Sequence, residues 1–391
     1  MSKNARDFDV WIRSAFVEMN TALEEKYFVQ ENRAAVEGVG DDIKAQIRDE
    51  GRSFIVKLVN EGNTDEGFDH AFGLLGNLGL YMASLRRHEL TNPAREEKSP
   101  HAEASALGLH IGASLGVTPR FATAHLATHN AAVNGKQKSF TSLSDEFLFL
   151  DYNTRAILAF KRAADALKRV LPLGVSHPVT ETLLGDAAAA IRDVIGFNDI
   201  LFDRLDIARF FFCVRPYYKP YRVGDHEYRG ANAGDFSGIN EIDLLLGLCH
   251  ANDPYYSQML VDKMLYMMPG DQASLSDCMR RKNLLAEFLD AAPASSGEAW
   301  FKRNAAAFLE VCALHGQTAE QHHNQLVNSF ISKPSTALPK ENLKQVTASG
   351  PPLPVLLRSL KILRDMRLAA DRDDIRTSFR EINELKKLIG E

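Results

Sequence analysis

The sequence predicts an all-α protein, on three observations. Nearly every long segment carries apolar residues at the helical period, and alternating strand patterns are almost absent. The chain has 391 residues, 45% of them hydrophobic and 25% charged, enough for a sizeable core in a globular fold.

The elements follow in order. Phe8 to Glu31 places Phe8, Trp11, Ile12, Ala15, Phe16 and Met19 on one amphipathic stripe. Ala34 to Asn60 continues the helical pattern through Ile43, Ile47, Phe54 and Leu58. Gly67 to Leu80 reads as a buried helix with Gly73, Gly76 and Gly79 at intervals of three. Glycine costs helix propensity, so these positions are expected to permit close helix packing. Asn92 to Ser99 is a polar linker. Helices are expected from His101 to Leu115 and from Pro119 to Ala131, the latter with proline at its first position. Val133 to Ser142 is polar and holds the Asn134-Gly135 turn signal. The boundary between a small N-terminal domain (1–135) and a larger one (136–391) is placed there. Ser144, Asp145 and Glu146 open a helix to Leu171, with acids in the first turn as the dipole favours. Another helix runs from Val179 to Phe212.

Arg215 to Asn240 is the longest stretch without a helical period, dense in Gly, Tyr and Arg. A loop of this length inside a compact domain is usually functional. Helical patterns resume over Ile239–Cys249, Pro254–Met268, Gln272–Ala291 and Glu298–Ile331. Ser332 to Gly350 is a second loop, and two helices close the chain.

Several function classes are disfavoured. A net charge of -5 with no basic stripe argues against nucleic acid as a partner. No apolar run is long enough to span a bilayer, and the first residues lack the apolar core of a signal peptide. The four cysteines are widely spaced with no CxxC pair, which suits free thiols in a reducing cytoplasm. The glycines near residue 230 match neither GxGxxG nor GxxxxGK[ST], so nucleotide binding is rejected.

The residues that could carry chemistry concentrate in two regions. In the helix ending near Ile331, His322 shares a polar stripe with Thr318, Gln325 and Ser329, expected to be wet. His323 shares an apolar stripe with Cys312, Gly316, Ala319, Leu326, Val327 and Phe330. An imidazole among small residues leaves room for a flat body against the helix, as an axial haem ligand requires; the alternative is a core histidine bonded to a carbonyl. In the loop, Phe210 and Phe211 precede Arg215, and aromatics beside a guanidinium suit a ligand that is part ring and part carboxylate. Ala233 and Gly234 are small enough for backbone to approach a cofactor. His125 and His129 stand four apart, a metal-ligand spacing on a helix, but no glutamate accompanies them and a structural or distal-pocket role is favoured. His177, His226 and His250 are read as solvated.

Several blocks carry a family likeness. Val214-Arg215-Pro216-Tyr217, Ala233-Gly234, Asp243-Leu244-Leu245-Leu246-Gly247 and Met264 to Pro269 resemble the indoleamine 2,3-dioxygenase pattern. Gly79 to His88, Lys138 to Glu146, Arg215 to Gly224 and Ser349-Gly350 resemble more closely the family of the pyrrolnitrin-pathway enzyme that rearranges chlorotryptophan. The likeness spans about residues 66 to 370.

The resemblance implies a two-domain helical fold, haem b enclosed in the larger domain, and O2 as co-substrate. His323 falls on the proximal iron ligand. Arg215 falls on the group that holds the substrate carboxylate, with Tyr218 or Arg222 as its helper, and Phe210 and Phe211 on those that pack the indole. Phe140, Thr141 and Ser142 fall near the distal loop, and Ser349-Gly350 on the loop that covers the substrate. Ala233, Gly234, Asp243, Gly316, Ala319 and Val327 would border the haem. Arg215, Phe211 and Ser142 would stand closest to the reacting atoms. The implied activity is oxidation of L-tryptophan or a related aromatic amino acid. Rearrangement of the pyrrolnitrin type is the alternative, as is a haem-binding protein without oxygenase activity. A monomer or homodimer in the cytoplasm is expected. One departure stands out: both relatives carry arginine three residues before the ligand, and this chain has Glu320. An ion pair from that position to Asp243 is excluded, which leaves open what neutralises the haem propionates.

Overall fold

A computed structural model describes residues 1–62, 67–325 and 353–390. The chain is all-α. Its helices are α1 (Lys3–Ile12), α2 (Ala15–Phe28), α3 (Asp41–Glu61), α4 (Phe68–Arg87), α5 (Ala102–Leu115), α6 (Ser144–Val170), α7 (Thr180–Arg204), the single turn α8 (Ile207–Arg209), α9 (Ser237–Leu246), α10 (Pro254–Met264), α11 (Pro269–Cys278), α12 (Leu284–Ser295), α13 (Ala299–Gln321), α14 (Leu353–Arg367) and α15 (Phe379–Ile389). The only sheet among the described residues is the hairpin β1 (Tyr221–Val223) and β2 (His226–Tyr228), paired antiparallel. None of these helices is long and apolar enough to cross a membrane.

Four local departures from the sequence reading have physical causes. The helix expected from Phe8 to Glu31 breaks at Arg13–Ser14, where Arg13 donates to the carbonyls of Ala131 and Lys136 at 3.2 and 2.7 Å. The next helix begins only at Asp41, because Gly38 and Gly40 hold positive φ angles of 75° and 66°. Asn134 and Gly135 form the expected turn, with φ of 52° and 76°.

The helix expected over Pro119–Ala131 is absent, apart from a 3₁₀ turn at Thr123–His125. Its sequence has the period, but the His125 Nδ1 accepts the Ala122 N–H at 2.8 Å, and the other ring nitrogen lies 2.9 Å from the Phe72 carbonyl. A side chain that captures nearby backbone competes with the helical ladder. Both ring nitrogens are thereby engaged, and His125 is a structural residue, not half of a metal pair.

Gly76 and Gly79 of α4 therefore face this irregular segment, and Gly73 faces the Lys138 side chain, none of them another helix. A Cβ on Gly79 would stand 2.2 Å from the Phe121 backbone nitrogen, and one on Gly76 2.6 Å from the His125 ring.

Two apolar clusters result. One gathers α1 to α5, Phe149 and Leu150 at the start of α6, and residues from Leu201 to Ala231. The other gathers α6 from Ala156 onward, α7, α9 to α13, and Met366, Ile382 and Leu385 near the C-terminus. The clusters thus meet within α6, and the chain between α7 and α9 returns to the N-terminal one.

Candidate functional site: a cation-lined cavity

A cavity of about 930 Å³ opens in the second cluster, within the size range of small-molecule and cofactor sites. Its apolar wall is Ala156, Ile157 and Phe160 of α6. The opposite side carries Thr318, Ala319, His322 and His323 from the end of α13. The 229–236 loop, α10 and α14 close it with four cations, Arg229, Lys263, Arg364 and Arg367.

The loop is held from beneath. Arg120, fully buried, donates to the carbonyls of Tyr228 and Arg229, and the Thr123 hydroxyl donates to the Asn232 carbonyl at 2.6 Å. Arg229 then grips Asp235 through two bonds of 2.9 Å and stacks 3.8 Å from the Tyr266 ring centre. These contacts present Ala233 and Gly234 to the cavity.

The α14 side is fixed by one carboxylate. Asp243 has no exposed surface and accepts two bonds of 2.8 Å from Arg367, one of 2.7 Å from the Tyr256 hydroxyl, and one of 2.7 Å from the His315 Nε2. Burial pushes the Asp243 carboxyl up, but Arg367 and then His315 overrule it and hold it well below the usual carboxylate range. Glu320 takes no part: the arginine that pairs with Asp243 comes from α14. Asp243 is thus a support for the cavity wall, one residue removed from the cavity. His315, which the sequence reading passed over, is its fully buried partner.

At the two adjacent histidines the face reading changes. Thr318 is 4% exposed and its hydroxyl bonds the His315 carbonyl at 2.7 Å, so Thr318 and His322 of the stripe expected to be wet line the cavity. Gln325 is exposed as expected, and Ser329 lies outside the described residues. From His322 to Gln325 the helix widens into a π turn. A helical wheel of 3.6 residues per turn does not carry across such a turn, and both imidazoles reach the cavity. His322 is open to it while otherwise surrounded by protein. Burial, then Arg367, pulls its pKa down to about 4. His323 is partly buried; burial and then Arg364 lower its pKa. Its Nδ1 is buried with no hydrogen-bond partner among the described residues. Both rings are therefore neutral at neutral pH, the form that binds a metal.

The remaining sequence candidates separate. Phe140, Phe210 and Tyr218 come together in one aromatic cluster with Phe121, Phe149 and Tyr217: Phe149 lies 5.1 Å from Phe210 and 6.2 Å from Tyr218 between ring centres. This cluster packs on the first turns of α6, ahead of the stretch that walls the cavity. Phe211 points elsewhere, against Ala34 and Phe212. Arg215, 6% exposed, sits with its guanidinium 5.7 Å from the Phe211 ring centre, and burial pulls its pKa down to about 10, so it keeps its charge. Thr141 is buried, donating its N–H and hydroxyl to Glu146 at 2.7 and 2.6 Å.

Three candidates are corrected. Ser142 is exposed, 3.1 Å from the Thr21 hydroxyl in a surface groove beside Arg13 and Val17. Arg222 is held on the hairpin by the Asp225 carbonyl at 2.7 Å. The space over Gly316 is taken by Arg367 and Leu368, whose atoms stand 3.0–3.1 Å from where its Cβ would be, so this glycine admits protein, not a ligand. Val327, Ser349 and Gly350 lie outside the described residues. His250 is half-buried and not solvated, with its Nε2 3.3 Å from the Ser378 hydroxyl.

With this geometry in view, the family likeness can be tested across the whole chain. The family described as monodechloroaminopyrrolnitrin synthase PrnB matches residues 2–389. The chain belongs to this family. It is a family of enzymes, and the match extends the likeness beyond the blocks quoted above to almost the whole sequence. Membership in the PrnB family favours the rearranging type of enzyme, which the sequence reading held as its alternative, over a plain dioxygenase.

Proposed function

We propose that the chain is a biosynthetic enzyme of the pyrrolnitrin type, acting oxidatively on L-tryptophan or a related indole amino acid with haem b and O2. The observation that carries this reading is the cavity in a PrnB-family chain, walled by neutral imidazoles of which His323 has a buried Nδ1 with no partner among the described residues. A buried imidazole nitrogen without a partner is costly unless a ligand orients the ring. The residues present fit a haem: His323 would hold the iron, Ala233, Gly234 and Ala319 are small enough for close approach, and Ile157 and Phe160 offer an apolar face. The haem, when bound, supplies activation of dioxygen.

What the chain itself supplies is placement. Arg215 keeps its charge in a desolvated setting, where a two-bond contact with a carboxylate is strongest. Phe140, Phe210 and Tyr218 form a packed aromatic cluster, and neither they nor Arg215 are among the residues that line the cavity. An indole amino acid held by its carboxylate at Arg215 would lose its freedom before any bond changes, an orientation effect.

The test is an absorption spectrum of the purified protein with haemin, reduced and titrated with L-tryptophan. A Soret band that shifts with the amino acid is expected. His323→Ala should lose the band, and His322→Ala should keep it. Absence of the band in the parent protein would overturn the cofactor assignment. Arg215→Ala should weaken L-tryptophan binding by about 1.5–3 kcal/mol, the scale of a charge-assisted hydrogen bond. Unchanged affinity would remove Arg215 from the site.

A further inference from the structure

Around the cavity one cation is left without an ion pair among the described residues. Asp235 is taken by both arms of Arg229, at 2.9 Å each. Asp243 is taken by Arg367, at 2.8 Å twice. Asp365 holds Arg364 at 2.6 Å and Arg372 at 2.6 Å, and Asp374 also holds Arg372. Asp262, exposed at the cavity's rim, accepts a bond of 2.9 Å from the Gln258 amide and makes no ion pair with Lys263. Among the described residues, Lys263 alone of the four cations makes no ion pair with an acid. Its ammonium donates to the Gly234 carbonyl at 3.1 Å and to the Asn240 side-chain oxygen at 3.4 Å. An ammonium has three donors, and these two bonds leave one for the cavity.

The setting makes that lone charge costly. Lys263 lies at the cavity wall, and burial pulls its pKa down to about 8 against the attraction of Asp235. A cation held by neutral oxygens in a desolvated pocket is stabilised chiefly by an anion that arrives with the ligand. The two oxygens that hold it come from the small-residue loop and from α9, so its position is fixed before anything binds.

We propose that Lys263 is a binding residue for a carboxylate of the cavity's ligand, answering the charge that Glu320 cannot. This rests on the haem and indole reading only for which carboxylate it is: a porphyrin propionate or the carboxylate of the amino acid. The shared chemistry is a carboxylate oxygen placed within hydrogen-bond distance of the Lys263 ammonium.

The experiment is acetylation of the folded protein by an amine-reactive acyl reagent at pH 8, with Lys263 modification read by peptide mass spectrometry. Four additions are compared: haemin, haemin dimethyl ester, L-tryptophan and tryptamine. Protection of Lys263 by haemin but not by the dimethyl ester assigns a propionate. Protection by L-tryptophan but not by tryptamine assigns the amino acid carboxylate. Equal protection by the carboxylate and carboxylate-free members, or protection by none, overturns the proposal. A Soret band together with an unprotected Lys263 would leave the haem reading standing and sink this one. Protection by L-tryptophan in a protein that forms no Soret band would do the reverse.

Lys263→Gln and Lys263→Arg provide an independent arm. The neutral variant should bind the protecting probe about tenfold to a hundredfold more weakly, and arginine should restore most of the loss. Equal binding by all three proteins would also overturn the assignment.

Discussion

Replacing Arg367 by leucine tests the wall of the cavity without touching a histidine. The substitution removes both 2.8 Å bonds to Asp243 and leaves that carboxylate fully buried with only His315, Tyr256 and a 3.5 Å contact from Asn240. Breaking one partner of a buried ion pair costs about 3–5 kcal/mol, because the survivor keeps its desolvation penalty. Asp243 can escape part of the cost by taking up a proton, so its carboxyl should move up from its depressed position. Asp243→Asn in the same background removes the stranded charge, and the double variant should be more stable than Arg367→Leu by about 2 kcal/mol, a coupling typical of residues in one network.

The protein carries two tryptophans, Trp11 in the N-terminal cluster and Trp300 packed on the other, so a Trp11→Phe background reports the second cluster alone. With a urea m-value of about 1–3 kcal/mol/M, Arg367→Leu should lower the Trp300 midpoint by roughly 1–5 M. A midpoint within about 0.3 M of the parent, a shift too small for a buried-pair loss on that same slope, would refute the hub.

Other expectations follow from the same geometry. Burial raises the Glu146 carboxyl to about 7 although Phe140, Thr141 and the Thr141 hydroxyl all donate to it. Because its folded pKa lies above the unfolded one, its stabilising contribution is full below about pH 4.5 and lost as pH rises to about 7, some 3 kcal/mol in all. Glu146→Gln should flatten that slope in urea titrations between pH 5 and 7, and an unchanged slope would exclude Glu146 as its source. Gly79→Ala places a Cβ 2.2 Å from the Phe121 nitrogen and should lower stability by about 1–3 kcal/mol or more, whereas Gly185→Ala, with nothing within 4 Å, should not. All four cysteines are buried, and burial pushes the Cys213 and Cys278 thiols up to about 12, so an aromatic disulfide reagent should titrate none of them before unfolding.

The helices were legible because apolar period and burial agree along most of the chain: α5, α6 and the two closing helices fall where the period places them. The Ala233-Gly234 loop and the α13 histidines were legible as residue types that suit a cofactor, and the fold does bring them to one cavity. Arg367 and His315 were not, because they meet Asp243 across 124 and 72 residues of chain, and nothing local in the sequence encodes such a pairing. Lys263 was hidden for the opposite reason: on a helix it looks like any surface lysine until the loop carbonyl of Gly234 is seen to hold it. The period also misled twice, at His125, where a side chain outcompeted the ladder, and at His322, where the helix changed its pitch.

The 27 residues of α6 run about 40 Å, with the aromatic cluster packed on its first turns and the cavity wall at its middle. A gene cut before this helix would send Phe149, Leu150, Phe210 and Tyr218 away with the wrong half, parting them from Phe140 and the rest of the N-terminal cluster. The protein is in this sense indivisible: it has a seam, but the seam runs through a single rigid rod and offers no place to cut. Changes that loosen the distant bundle would be felt at Ile157 and Phe160 as a tilt of the wall, so variation far from the pocket can reshape what fits inside it.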